Sequence, residues 1–176
     1  MKKIFATLFA LMIALCLMTT AFAQETVTVN WEDIDIESIG IEGSFYSFED
    51  VAVIVWIPDV LENLELTQED ADNGLIGKFE AADGSAGVYV QFIEGGEGWD
   101  ISSVLEIVQN AGGKDIETVV LNGIDAVSYT IEEVDSNYIA MVSDSGNVLQ
   151  FIFMPASDED FSAVTALIAA SIQPEE

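Results

Sequence analysis

The chain has 176 residues, with 32 Asp or Glu, 4 Lys or Arg, one Cys and no His. The absence of His excludes Ser-His-Asp triads, Cys-His nucleophiles and His-rich transition-metal sites, and the single Cys excludes zinc fingers. So few cations also argue against a nucleic-acid partner, because binding to phosphates needs clustered Lys and Arg.

Residues 1–23 have the three parts of a secretory signal peptide: a basic start at Lys2-Lys3, an apolar run from Ile4 to Met18 and an Ala-x-Ala end. The apolar run of about 15 residues is short for a membrane span. Cys16 follows a Leu rather than the small residue that lipid attachment requires. We therefore predict cleavage between Ala23 and Gln24, a secreted or cell-envelope location, and no membrane span after cleavage.

The rest of the chain is predicted to form a single domain over residues 24–172, followed by a loose acidic tail at residues 173–176. Two lysines, Lys78 and Lys114, remain against 32 acids, which is a formal charge of −30. No Cys remains, so a hydrophobic core rather than disulfides must stabilise the domain. The 51% hydrophobic content excludes intrinsic disorder despite the charge.

The first predicted element lies between Asn30 and Gly40, where helix-capping residues coincide with a strand-like alternation of Ile and acids. We expect a short helix here. The β-rich runs 44–48 and 51–57 predict a hairpin that Pro58 ends, and the second run is apolar enough to be buried on both faces. A helical turn is expected over residues 59–64.

A second short turn, capped by Thr67 and closed by Asn73-Gly74, comes next in the sequence. Three further hairpins follow, with turns at Asp83-Gly84, Asn122-Gly123 and Asp144-Ser145-Gly146. Their predicted strands are residues 75–82 with 86–94, 115–121 with 124–132, and 137–143 with 147–154.

Two longer helices are predicted from apolar residues at helical spacing. Asp100 caps the first, which Gly112 ends, and residues 157–160 cap the second. The second carries one apolar face, formed by Phe161, Val164, Leu167, Ile168 and Ile172. The predicted fold class is α+β: an antiparallel sheet of successive hairpins with a middle helix and a C-terminal helix packed on it.

Three segments, Val55–Pro58 (VWIP), Val119–Tyr129 (VVLNGIDAVSY) and Gly146–Ile172 (GNVLQFIFMPASDEDFSAVTALIAASI), resemble the PsbP-like/DcrB-like α/β/α sandwich family. The order of elements is similar over most of residues 44–172. More narrowly, the chain resembles small acidic exported proteins of anaerobic Firmicutes. The resemblance implies a PsbP-like sandwich with an accessory or binding role and no catalysis. It implies no site residues, because the family has no universal catalytic motif.

Calcium is the metal that this composition favours, because Ca²⁺ prefers several carboxylate and carbonyl oxygens on a flexible loop. Acidic residues cluster at 69–73, at 94–100 and at 158–160, although none of these clusters matches an EF-hand spacing. A capped turn, a flexible connector and a capping box explain the same residues without a metal. The candidate ligands of a weak calcium site are Asp70, Asp72, Glu94, Glu97 and Asp100.

The charge of the chain has three competing explanations: solubility, salt adaptation, or an unknown protein or envelope partner with a basic surface. The sequence predicts an exported, non-catalytic binding or accessory module of the cell envelope or extracellular space. The alternative is a calcium-dependent or carboxylate-using hydrolase of an envelope or dietary polymer. A pocket that holds two carboxyl groups about 5–10 Å apart would favour that alternative.

Overall fold

A computed structural model of the chain describes residues 26–96 and 98–175, so the predicted signal peptide lies outside the described residues. The helices are α1 Ile36–Ile39, α2 Gln68–Asp72, α3 Ile101–Asn110 and α4 Glu159–Ala170. The strands are β1 Val27–Val29, β2 Gly43–Phe48, β3 Val53–Pro58, β4 Leu61–Asn63, β5 Leu75–Ala81, β6 Gly87–Ile93, β7 Lys114–Leu121, β8 Ile124–Ile131, β9 Ser136–Val142, β10 Val148–Met154 and β11 Gln173–Pro174. None of the described helices is long and apolar enough to cross a lipid bilayer.

The main sheet has eight strands in the order β1-β7-β8-β9-β10-β6-β5-β4. Its three predicted hairpins, β5 with β6, β7 with β8 and β9 with β10, are confirmed. Asn122 and Gly123 both have positive φ, as a type I′ turn requires. The first strand, β1, was not predicted, and it pairs with β7 in parallel rather than antiparallel orientation.

The predicted helical turn at residues 59–64 is wrong. Residues 61–63 form β4, which pairs with β5 at the edge of the main sheet. The side chain of Leu61 is 4% exposed in the main core. Burial of this Leu and the ladder hydrogen bonds to β5 outweigh the weak helical preference of the segment.

The predicted first hairpin is confirmed, but it lies in a separate three-stranded sheet in the order β11-β3-β2. The prediction of a loose tail is wrong for residues 173–175. Gln173 pairs with Ile54, and the backbone N–H of Glu175 donates to the carbonyl of Ala52 at 2.9 Å. The tail is held because β3 would otherwise present unpaired backbone groups at this edge.

The two predicted helices pack on opposite faces of the main sheet. On one face, α3 buries Val104 and Val108 against the sheet. On the other face, α4 and the three-stranded sheet enclose the main core, in which Phe151 and Val55 are fully buried. The predicted α+β class with a middle and a C-terminal helix on the sheet is therefore confirmed.

The N-terminal segment forms two short turns rather than the single helix expected between Asn30 and Gly40. A 3₁₀ turn covers Trp31–Asp33, and α1 begins only after Asp35, whose side chain caps it. Ile34 lies between them in extended conformation and packs with α1 against the cluster that contains Trp56. Tertiary packing of these apolar side chains therefore overrides a continuous helix.

Candidate functional site

A cleft of about 570 Å³ lies between α4 and the face of the main sheet formed by β7, β8 and β9. Strand β1 and the residues that follow it form a third wall. The volume is within the range of about 300–1,000 Å³ that small-molecule sites occupy. The surface of the cleft is mostly apolar, with Val27, Val119, Leu121 and Ile139 among the lining residues, although about half of the lining residues have a polar or charged side chain.

The cleft exists because α4 presents small side chains to this part of the sheet. These lining residues recur at helical spacing: Ser162, Thr165, Ala166, Ala169 and Ala170. The sequence predicted only the large apolar face of α4. Periodic small residues on the remaining face of a buried helix were the signal that could have indicated a space.

Polar residues of β7, β8 and β9 form one end of the cleft. They lie on the same face of the sheet as the core residues of these strands. In β7 the row passes from Val119 and Leu121 back to Glu117. Glu117 pairs in register with Ser128 of β8, and Thr130 donates a hydrogen bond to Asn137 of β9 at 2.7 Å. None of these four polar residues was predicted as a site residue.

A β-bulge at the start of β7 determines which residues of this strand face the cleft. Lys114 pairs with Thr130 and Glu117 pairs with Ser128, so two residues of β7 stand opposite one residue of β8. Asp115, one of the two, has φ +48°, an uncommon conformation for a residue other than Gly. The bulge brings both Asp115 and Glu117 to the lining of the cleft.

The hydroxyl of Thr165 is the one buried side-chain polar atom without a hydrogen-bond partner among the described residues. Thr165 is 9% exposed, and it lines the cleft from the middle of α4. A buried polar atom without a partner costs about 1–3 kcal/mol, so native proteins rarely retain one without a reason. This oxygen is closed off from the cleft in the present conformation, so a polar group of a bound molecule reaches it only after the Thr165 side chain turns about χ1.

We expect Thr165→Val to raise the free energy of unfolding of the ligand-free protein by about 1–2 kcal/mol. Valine has the same shape, but its methyl group needs no partner. Urea unfolding measures the change. Ser171→Ala is the matched control, because the Ser171 hydroxyl accepts from the backbone N–H of Trp56 at 2.8 Å and donates to Ile168 at 2.7 Å. That substitution should destabilise the protein, and a loss of stability in both variants would contradict an unpartnered Thr165.

The electrostatics of the cleft are acidic. Asp33, Asp115 and Glu117 contribute to its lining, and none of its described lining residues is a Lys. Partial burial, together with the nearby charge of Asp115, raises the pKa of Glu117 above its ordinary value. The site therefore holds an excess of negative charge with no protein cation to balance it.

Glu117→Gln should stabilise the ligand-free protein at pH 7, and the gain should shrink as the pH falls towards 4.5, the ordinary pKa of the Glu side chain. Because the folded state raises the pKa of Glu117, it binds this proton more tightly than the unfolded state does. Ionisation of Glu117 as the pH rises therefore opposes folding. Thermal unfolding of both proteins over this pH range measures the difference. Glu106→Gln, at an exposed position of α3, controls for the loss of one carboxylate outside the cleft.

Asn122 follows Leu121 at the apolar end of the cleft. Its side-chain Nδ2 donates to the carbonyls of Ala170 at 2.8 Å and Ile172 at 2.7 Å, and its Oδ1 accepts from the backbone N–H of Trp31 at 2.6 Å. One side chain thus joins the turn between β7 and β8, the end of α4 and the N-terminal segment. The sequence identified Asn122 only as a turn residue.

The predicted calcium ligands are spread over several elements. Asp70 forms a capping box with Thr67 at the start of α2, and its Oδ2 lies 3.7 Å from the Lys78 amine. Asp100 caps α3 through Ser103. The other candidates are Asp72, which accepts from Gln68 in α2, Glu94, which is exposed after β6, and Glu97, which lies outside the described residues.

Within residues 26–96 and 98–175, no group of three acidic side chains is placed so that it could hold a metal ion. The calcium site stays a prediction, because Glu97 belongs to it. Thermal unfolding in CaCl₂ and MgCl₂ at matched ionic strength tests it. A saturable rise in Tm with Ca²⁺ alone would support a site, and an equal rise with both salts would show charge screening.

Comparison with known proteins yields structural relatives only. No protein-family model matches the sequence, and no curated protein matches it. The solution structure of cyanobacterial PsbP (CyanoP) from Synechocystis sp. PCC 6803 is similar, with a TM-score of 0.55 and 10% identity over 89% of this chain and 98% of that one.

Two other solved structures are similar at comparable identity. A protein from Bacteroides thetaiotaomicron VPI-5482 has a TM-score of 0.51 and 9% identity over 77% of this chain, which spans 50% of that protein. The Ran-binding protein Mog1p of Saccharomyces cerevisiae has a TM-score of 0.43 and 11% identity over 77% of this chain and 97% of that one. The match to CyanoP, together with the element order, confirms the predicted resemblance: this chain has the PsbP-like α+β fold.

Proposed function

We propose that this chain is an exported, non-catalytic binding module of the cell envelope or extracellular space, which holds a small molecule in the cleft beneath α4. The observation that carries the proposal is the unpartnered hydroxyl of Thr165, buried in a cleft of about 570 Å³. A mostly apolar surface that also presents polar groups is the usual composition of a small-molecule site. The strongly acidic surface also suits a partner with a basic surface.

The alternative function, a carboxylate-using hydrolase, has one observation in its favour. Glu117 has a raised pKa, as a general acid does, and Asp115 lies close to it. Both carboxylates come from one strand, however, whereas a glycosidase places its two carboxylates on either side of the scissile bond.

Hydrolysis is tested directly with the purified protein and a soluble glycan or peptidoglycan fragments. We expect no release of reducing ends above the rate of a blank. Release that Glu117→Gln abolishes and Glu106→Gln leaves unchanged would establish the hydrolase and overturn the binding role.

Binding is tested with Nile red, a neutral apolar dye that fluoresces when it leaves water. We expect saturable fluorescence with the purified protein. Ala166→Leu should weaken binding at least about tenfold, since it fills the cleft from α4, and Ala163→Leu is the matched control because Ala163 does not line the cleft.

Ser162→Leu supplies a second blocking variant, at the first turn of α4, in case Ala166→Leu does not fold. If Nile red does not bind, or if folded blocking variants bind it as well as the control does, the cleft is not a binding site. Export is tested by the mass of the protein recovered outside the cytoplasm, which we expect to begin at Gln24.

A further inference from the structure

We infer that the molecule held beneath α4 is an amphipathic cation, with an aliphatic body and a protonated amine at one end. This inference rests on the proposed binding function and adds the chemistry of the ligand. The cleft combines aliphatic walls, one acidic end and a buried hydroxyl, and each of these features selects a different part of such a molecule.

The acidic end selects the charge. Asp115 and Glu117 lie two positions apart on the bulged start of β7, and both line the cleft. Asp33 lines the cleft at its other end, from the exposed turn after β1, where its carboxylate accepts from Asn30 at 3.2 Å. Lys114, the neighbour of Asp115 along the chain, is exposed and does not line the cleft. An anionic ligand would meet repulsion here, whereas a protonated amine would form charge-assisted hydrogen bonds with the carboxylates.

The other end selects an apolar body. Strand β1 places Val27 beside Val119 and Val29 beside Leu121, and Asn122 ties the end of β7 to Ala170 of α4. Glu117 and Leu121 are four positions apart on β7, which corresponds to about 13 Å of extended strand. A molecule that spans the cleft would therefore place a charged group and an aliphatic end on the order of 13 Å apart.

The hydroxyl of Thr165 is an independent indication that this cleft accepts a ligand. It is buried without a partner in the middle of α4, between the two ends of the cleft. A hydroxyl both donates and accepts, so an oxygen or nitrogen part-way along the ligand would satisfy it. In a cavity without a ligand, this buried hydroxyl only lowers the stability of the fold.

The test is competition with Nile red by three molecules that share a decyl chain, n-decylamine, n-decanol and decanoate, below their micelle-forming concentrations. We expect decylamine to displace the dye at about tenfold lower concentration than decanol. Decanoate should be the weakest competitor. Glu117→Gln should remove most of the preference for decylamine over decanol, measured as the ratio of the two competing concentrations in the same variant.

Glu106→Gln controls for the total charge of the protein, because it removes one carboxylate from an exposed position on α3 outside the cleft. If the two variants reduce the preference for decylamine equally, the amine is attracted by net charge alone and the inference is overturned. Equal competition by decylamine and decanol in the unmodified protein would overturn it as well, while binding of Nile red would leave the proposed function standing. Failure of all probes to bind would overturn both.

Discussion

Phe151→Ala should lower the free energy of unfolding by about 4 kcal/mol. The Phe151 side chain is fully buried, at the centre of β10 in the main sheet. Its ring packs edge-to-face against Phe48 of the three-stranded sheet, with ring centroids 6.2 Å apart. The substitution therefore removes apolar burial and leaves a cavity between the two sheets. Urea unfolding followed by Trp fluorescence measures the loss.

Phe45→Ala is the matched control for this prediction. Phe45 is 46% exposed on the edge strand β2, where its ring meets Trp31 edge-to-face at 5.9 Å. The same chemical change here should cost about 2 kcal/mol, because only about half of the side chain is removed from water on folding. Similar losses in the two variants would contradict the assignment of the main core to the space between the sheets.

The turns and caps of this fold could be predicted from the sequence because their determinants are local. Asn122-Gly123 specifies a type I′ turn, and Asp100 and Asp158 accept hydrogen bonds from the first turns of α3 and α4. Each of these signals spans four residues or fewer, so no knowledge of distant segments is needed.

The assignment of strands to sheets depends on distant contacts and could not be predicted in the same way. The β2–β3 hairpin would show the same pattern of apolar and polar residues whether it extended the main sheet or packed across it. β4 and β11 form because β5 and β3 present edges to them, and a strand of two or three residues has no periodicity of its own.

The candidate site was missed for a related reason. Glu117, Ser128, Thr130 and Asn137 are ordinary strand residues until the register places them in adjacent rows. The bulge at Asp115 decides which face Glu117 occupies, and no turn residue in the sequence marks it. Several acidic residues that the sequence suggested as calcium ligands instead cap nearby helices, as Asp70 and Asp100 do.

The features of the cleft also explain why its residues are not optimal for stability. An unpartnered hydroxyl at Thr165 and a partly buried carboxylate at Glu117 both lower the stability of the ligand-free chain. Stabilisation by Thr165→Val and Glu117→Gln, together with loss of ligand preference, would be the expected trade-off at a binding site.

Asn122→Gly should lower the free energy of unfolding by about 3 kcal/mol, because three partly buried hydrogen bonds are lost at once. For a chain of this length, that loss lowers Tm by roughly 6–12 °C. Glycine accepts the backbone φ of +49° at this position, so the substitution adds no strain to the turn. Asn122→Ala should lose about 1 kcal/mol more, since alanine is strained at that φ.

We expect Tm to fall from the unmodified protein to Asn122→Gly and again to Asn122→Ala. The first step measures the loss of the side-chain hydrogen bonds, and the second measures the strain in the turn. Asn110→Ala, at the exposed end of α3, controls for removal of an amide elsewhere and should leave Tm nearly unchanged. If Asn122→Gly were as stable as the unmodified protein, the three bonds would contribute nothing. Nile red affinity of folded Asn122→Gly should also fall, because the end of α4, which lines the cleft through Ala169 and Ala170, is then no longer tied to the turn after β7.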